Sequence, residues 1–137
     1  MRTPRAVATS RPRPWPDRGS VSLELVIVFP AVLLIIFGGM QGALLYYARS
    51  VALAAAQEGS RAAGAETGSA GLGQSVATGF VQRAGGSDVL QAAQVTASRS
   101  ATVATVTVSG RSLSLVPGLS GLPVSQTASV PVERITR

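Results

Sequence analysis

The sequence predicts a membrane-anchored α+β protein. One long N-terminal transmembrane helix extends outside the membrane and is followed by a small domain with a short helix and two or three antiparallel strands. Three observations predict it. First, 24 consecutive uncharged residues, Leu25 to Ala48, run between Glu24 and Arg49. At about 1.5 Å per residue such a helix covers roughly 36 Å, enough for a ~30 Å hydrocarbon core with some tilt. Second, an Ala-rich helical pattern continues beyond Arg49. Third, the apolar period changes from 3.6 to 2 in ATVATVTVS, Ala101 to Ser109, where β-branched residues dominate.

Composition narrows the function. A chain of 137 residues has room for one span and one small domain. It has no Cys and no His, and all twelve basic residues are Arg. Ser-His and Cys-His pairs and the usual zinc ligand sets are therefore absent. The acids Asp17, Glu24, Glu58, Glu66, Asp88 and Glu133 are scattered, so no paired-carboxylate motif is legible. A non-enzymatic protein with no cofactor, metal or small-molecule substrate is expected. The net charge is +6, but residues 1–19 carry five Arg and one Asp. The other seven Arg and five acids leave only +2 for the rest of the chain. That basicity is a flank beside the apolar run rather than a stripe on a folded face, which argues against nucleic acid as a partner.

In order, residues 1–19 read as a basic, Pro-rich cytoplasmic leader with a polyproline bias. Residues 20–48 form the transmembrane helix. The Arg excess before it and the balance of Arg49 and Arg61 by Glu58 and Glu66 after it place the N-terminus in the cytoplasm. Trp15, Tyr46 and Tyr47 suit interfacial aromatic belts. Pro30 removes one backbone donor and predicts a kink or a loosened first segment. Gly38/Gly42 and Gly39/Ala43 are small-xxx-small pairs. They serve either as a surface for close helix approach or as ordinary span glycines. Glu24, one turn into the helix, is either held for a partner or snorkels at the interface, stabilised by the helix N-terminus.

Residues 49–63 continue the helix, with Val51, Ala55 and Ala62 on one face and Gln57, Glu58 and Arg61 spaced for i,i+3 and i,i+4 pairing. Residues 64–73, GAETGSAGLG, read as a flexible break. Residues 74–137 form the small domain. It opens with an amphipathic helix over Gln74–Arg83, with Val76, Phe80 and Val81 inward, closed by Gly85-Gly86; Asp88 to Ala93 stays ambiguous. Strands follow over Ala101–Ser109, with Val95-Thr96-Ala97 pairing before it, and over residues 124–135 after breaks at Pro117-Gly118 and Gly121. Pro131 demotes that last strand to an edge. From Gly64 onward Phe80 is the sole aromatic, so the core is thin and outside support is expected, from a partner or from self-association.

The start of the span carries a motif. Gly19-Ser20-Val21-Ser22-Leu23-Glu24 puts a glycine before an apolar helix, basic residues upstream and a glutamate five residues on. This resembles the processing site of type IV prepilins, where a prepilin peptidase cuts after the glycine. Cleavage there would fall between Gly19 and Ser20. Glu24 would then meet the new N-terminal ammonium of a neighbouring subunit as a subunit contact. Across roughly residues 18–66 the chain looks like the TadE-like family of pilus assembly proteins. The resemblance rests on Arg18-Gly19, Glu24, Pro30, the Tyr46-Tyr47-Ala48-Arg49 exit, and Ala55 to Ala63. It implies a minor pilin or pseudopilin of the tight-adherence (Flp) pilus machinery in the cytoplasmic membrane. The partners it implies are the membrane, the prepilin peptidase, the Tad inner-membrane platform, its secretion ATPase and the Flp major pilin. Two positions depart from the family pattern. Met40-Gln41-Gly42 stands where an acidic-aromatic-Gly segment is common, and Ser20 stands where pilins begin with Phe.

Two rival readings differ in class. A secreted protein with a Sec signal peptide would use an h-region of about 7–15 residues, far shorter than this run. A generic single-pass envelope anchor would make Gly19 and Glu24 coincidences.

Overall fold

A computed structural model describes residues 18–134; the leader up to residue 17, Trp15 within it, and residues 135–137 lie outside the described residues. The element order is α1 (Arg18–Gly64), α2 (Ala70–Arg83), a 3-10 turn (Gly86–Asp88), β1 (Leu90–Arg99), β2 (Val103–Ser112) and β3 (Pro123–Pro131). The chain divides into two units after Leu34. In the first, residues 18–34 are helical. Helical assignment runs through Pro30 without interruption, and from Glu24 to Phe29 every side chain is exposed.

The second unit holds the rest of α1 and all of the sheet. The strands pair antiparallel in the order β1-β2-β3, so the sequence expectation of an α+β domain with antiparallel strands is met, with three. Alternation decides the faces. Ala104, Val106 and Val108 of β2 are buried, and the residues between them, Thr105, Thr107 and Ser109, point away from that core. On this outer face the register sets Thr107 between Thr96 and Thr127, and Thr105 between Ser98 and Ser129. The hydroxyls of Thr105 and Ser129, and of Thr107 and Thr127, are 2.8 Å apart. Such hydroxyl pairs across a ladder are a recognised source of sheet stability.

β1 begins earlier than the predicted Val95. A bulge between Gln91 and Gln94, with Ala92 at φ 49°, changes its parity. Leu90 before the bulge and Val95 and Ala97 after it therefore face the same core. The ambiguity of residues 88–93 has this cause: a bulged strand has no constant period. β3 is an edge strand ending at Pro131, as its proline requires.

The inner face of the sheet is covered by α1 and α2, and both contacts depend on small residues. Ala48, Ala52, Ala55, Ala56 and Ala63 are fully buried on one side of α1. That side includes the predicted Val51 and Ala55, but it takes in Ala63 where the sequence reading had Ala62, which is only half-buried. α2 starts at Ala70, four residues before the predicted Gln74. Its N-cap is Ser69, whose hydroxyl accepts from the Leu72 N–H at 3.1 Å. The expected break over 64–73 therefore shrinks to the short turn before Ser69. That turn is held by Arg99, whose guanidinium donates to the carbonyls of Ala63, Ala65, Glu66 and Gly68. A cation on the terminal carbonyls of α1 satisfies acceptors that have no helical partner and complements the helix dipole.

Where α1 and α2 cross, Gly59 and Gly73 meet. A Cβ on Gly73 would lie 2.7 Å from both the Ala63 Cβ and the Gly59 carbonyl oxygen. On α2 the buried residues are Gly73, Ala77 and Val81; the predicted Val76 and Phe80 flank them, half-buried. The inward stripe is thus narrower and smaller than the apolar pattern implied, because the bulkier side chains do not fit beneath the crossing.

Gly73→Val should therefore destabilise this unit by about 1–3 kcal/mol through overpacking. Gly79→Ala lies on the same helix, where the nearest atom to an added Cβ is the mobile end of Arg83. It should stabilise by about 0.5–1 kcal/mol. Urea unfolding followed by circular dichroism in detergent compares the two, and equal effects at both positions would contradict the crossing described.

Candidate functional site

The residues singled out by the sequence lie along α1, and the helix changes character along its length. Gly19 and Ser20 fall at the start of the described helix. Glu24 is exposed. Within the second unit, Gly38, Gly39 and Gly42 have open space around them, with no atom within 4 Å of an added Cβ. Ala43 is exposed as well. Phe37, Met40 and Tyr47 are each 50% exposed and Ile35 75%, so this stretch carries a broad apolar surface next to its glycines. From Ala48 onward one side of the helix is buried and the other carries Glu58 and Arg61, paired at 3.8 Å on the surface. An exposed pair of this kind contributes little stability.

Such a surface offers chemistry of association. Among the described residues no three acidic side chains come together as a metal site would require. An open cleft of about 480 Å³ lies around Glu66, Arg99 and Arg134. Arg99 there is committed to the end of α1. What α1 presents in quantity is apolar area without charge: from Leu25 to Tyr47 there is no charged residue and none is buried. One helix is therefore long and apolar enough to cross a membrane.

Residues 19–61 match the family model of TadE-like proteins. The matched segment begins at Gly19 and ends at Arg61. It takes in Glu24, Pro30, the glycines and most of the buried alanine face. α2 and the whole sheet lie beyond it. No curated protein and no solved structure matches the chain.

The geometry gives part of the TadE-like pattern a physical reason. Ala55, Ala56, Gly59 and Ser60 are all buried, and Gly59 has Gly73, Ala77 and Val106 against it. This end of the motif is a docking face for the protein's own domain. Among the described residues, nothing lies within 4 Å of a Cβ added at Gly38, Gly39 or Gly42, and Ala43 is exposed beside a groove that Leu113 and Leu115 also line. Two residues with structural work were not assigned it from the sequence. One is Arg99, which the sequence reading did not single out. Gln41 was noted only for standing where the family often has an acid, although a lone amide in an apolar run needs a hydrogen-bond partner, and that was a usable signal.

Because no described residue touches Gly38 or Gly42, Gly38→Leu and Gly42→Leu should leave the urea midpoint of the domain in place, with the unfolding free energy within about 0.5 kcal/mol of the parent. A close helix contact with another subunit would nevertheless be blocked. Co-purification of differently tagged copies or pilus components should then fall while the midpoint holds; a shifted midpoint would mean that these glycines serve the fold.

Proposed function

We propose that the chain is a minor pilin-like or pseudopilin-like structural component of a tight-adherence (Flp) pilus or a related secretion system, with no catalytic role. The observation that carries this reading is the TadE-like match over residues 19–61. It begins at Gly19 and includes Glu24 five residues later. The cytoplasmic membrane holds the apolar helix, with the Arg-rich N-terminus in the cytoplasm and the α+β domain outside. A prepilin peptidase cuts between Gly19 and Ser20. Glu24 then lies one turn into the helix, where it meets the new ammonium group of a neighbour and low dielectric makes the charge-assisted contact strong. The inner-membrane platform, its ATPase and the Flp major pilin are the corresponding assembly partners. Two features support the reading: the exposed glycines leave a flat strip for another helix, and Glu24 is free at the surface.

Intact-mass measurement of the membrane-extracted chain, with and without the prepilin peptidase, tests it. The expected result is loss of residues 1–19 only when the peptidase is present. Gly19→Leu should abolish that loss and pilus assembly while leaving membrane insertion unchanged. Glu24→Ala should still insert and be cut, yet assemble poorly. A chain of full mass under both conditions removes the processing step, and a cut after Ala54 would instead indicate a cleaved signal peptide.

A further inference from the structure

The loop between β2 and β3 is built to be apolar at its tip and closed at its neck. From Ser112 to Val132 there is no charged residue, and Leu113, Leu115, Val116, Leu119 and Leu122 fall within the loop. At the neck the Ser112 N–H donates to the Leu122 carbonyl at 2.9 Å. The Leu122 N–H in turn donates to the buried Ser112 hydroxyl at 3.2 Å. At the tip, Val116-Pro117-Gly118-Leu119 closes with a Leu119 N–H to Val116 carbonyl bond of 3.2 Å. Gly118 has φ +82°, the backbone of a type II turn with Pro at its second and Gly at its third position. The loop is thus a shaped protrusion, and Val116, Leu119 and Leu122 are 49%, 65% and 48% exposed on it.

Gln41 fixes where this protrusion lies. Its amide nitrogen donates to the Leu113 carbonyl at 3.0 Å, and its amide oxygen accepts from the Leu115 N–H at 3.1 Å. One side chain of α1 therefore hydrogen-bonds a strand-like piece of loop 72 residues away. Gln41 belongs to the uncharged run Leu25–Ala48, eight residues before Arg49, a helical rise of about 12 Å. About twenty residues suffice to cross the hydrocarbon core, and twenty counted from Leu25 reach Leu44. Beside the bonded segment lies a groove of about 370 Å³ lined by Met40, Ala43, Leu44, Tyr47, Leu113 and Leu115. No charged residue lines it.

We propose that the 113–122 loop is a second membrane contact: it dips into the outer boundary of the bilayer beside α1, held at depth by Gln41, with lipid acyl chains filling the groove. This rests on the reading of α1 as the membrane anchor. Part of the loop's backbone is internally bonded, which lowers the cost of placing it at the bilayer boundary: the Leu113 carbonyl and Leu115 N–H bond Gln41, and the Val116 N–H donates to the Ser114 hydroxyl at 3.3 Å. Tyr47, a residue type favoured at bilayer interfaces, forms part of the groove wall. Arg111 lies at the neck, where its guanidinium donates to the Gly121 carbonyl at 3.4 Å. A cation at the base and leucines at the tip match the polarity change from headgroups to acyl chains.

The chain has no cysteine, so single-cysteine variants of the full-length protein can each carry one fluorophore. Ile35→Cys reports the anchor, Leu119→Cys the loop tip, and Thr127→Cys the outer face of the sheet. Each is placed in vesicles of phosphatidylethanolamine and phosphatidylglycerol whose acyl chains carry bromine, which quenches on contact. The proposal expects quenching and blue-shifted emission at positions 35 and 119, and neither at 127. Adding Gln41→Ala should remove most of the quenching at 119 and leave that at 35 unchanged. Quenching at 35 but not at 119 overturns the loop contact while the anchor reading stands, and a disulfide between unlabelled Leu119→Cys copies would then identify a second copy as the occupant. Absence of quenching at both positions overturns the anchor and the loop contact together. Full quenching at 119 in the Gln41→Ala background overturns the role given to Gln41.

Discussion

The domain depends on the contact that the alanine face of α1 makes with the sheet. β2 contributes Ala104, Val106 and Val108 to the core, and α1 contributes Ala48, Ala52, Ala55 and Ala56. Side chains this small bury little area each, so the layers must approach closely to gain dispersion and exclude water. Gly59 and Gly73 permit that approach, since a Cβ on either would meet backbone or methyl atoms at about the distance where real contacts cease. The thin core implied by the lack of aromatics thus has a specific solution. The support that a small domain needs comes from the distal part of its own N-terminal helix.

This arrangement gives α1 two environments in sequence. From Leu25 to Tyr47 most of its side chains are exposed and apolar, and from Ala48 one side becomes protein core. The TadE-like match spans that change, so the matched segment holds both an exposed apolar stretch and a face for the protein's own sheet. Polar groups mark the points where the domain is fastened to the helix. Arg99 gathers the carbonyls that end α1, and Gln41 holds the β2–β3 loop. Between these fasteners the contact is apolar. The outward side of the sheet is a lattice of Ser and Thr hydroxyls.

Much of this was legible locally. A long uncharged run, an Ala-rich helical repeat and an alternating Val/Thr segment each announce an element through its own period, and Pro131 announced an edge. α2 was legible in type but not in extent. Its first turn, Ala-Gly-Leu-Gly, reads as linker by composition, and only the Ser69 cap and the packing of Gly73 on Gly59 make it helical. The start of β1 escaped for a different reason: the bulge at Gln91–Gln94 breaks the alternation by which a strand is read.

By itself, then, the sequence determined the apolar helix, the change of period that separates helix from sheet, and the Gly19–Glu24 motif with its family likeness. These are properties of residues a few positions apart, where side-chain spacing and backbone preference act directly. Tertiary structure alone decided that Ala63 rather than Ala62 faces the core, that glycines carry the helix crossing, and that Arg99 and Gln41 are fasteners. The two fasteners rest on partners 31 to 74 residues distant, and the crossing on residues of two separate helices. A hydrogen bond to a remote carbonyl, or the room left for a Cβ, exists only once the chain has brought its layers together.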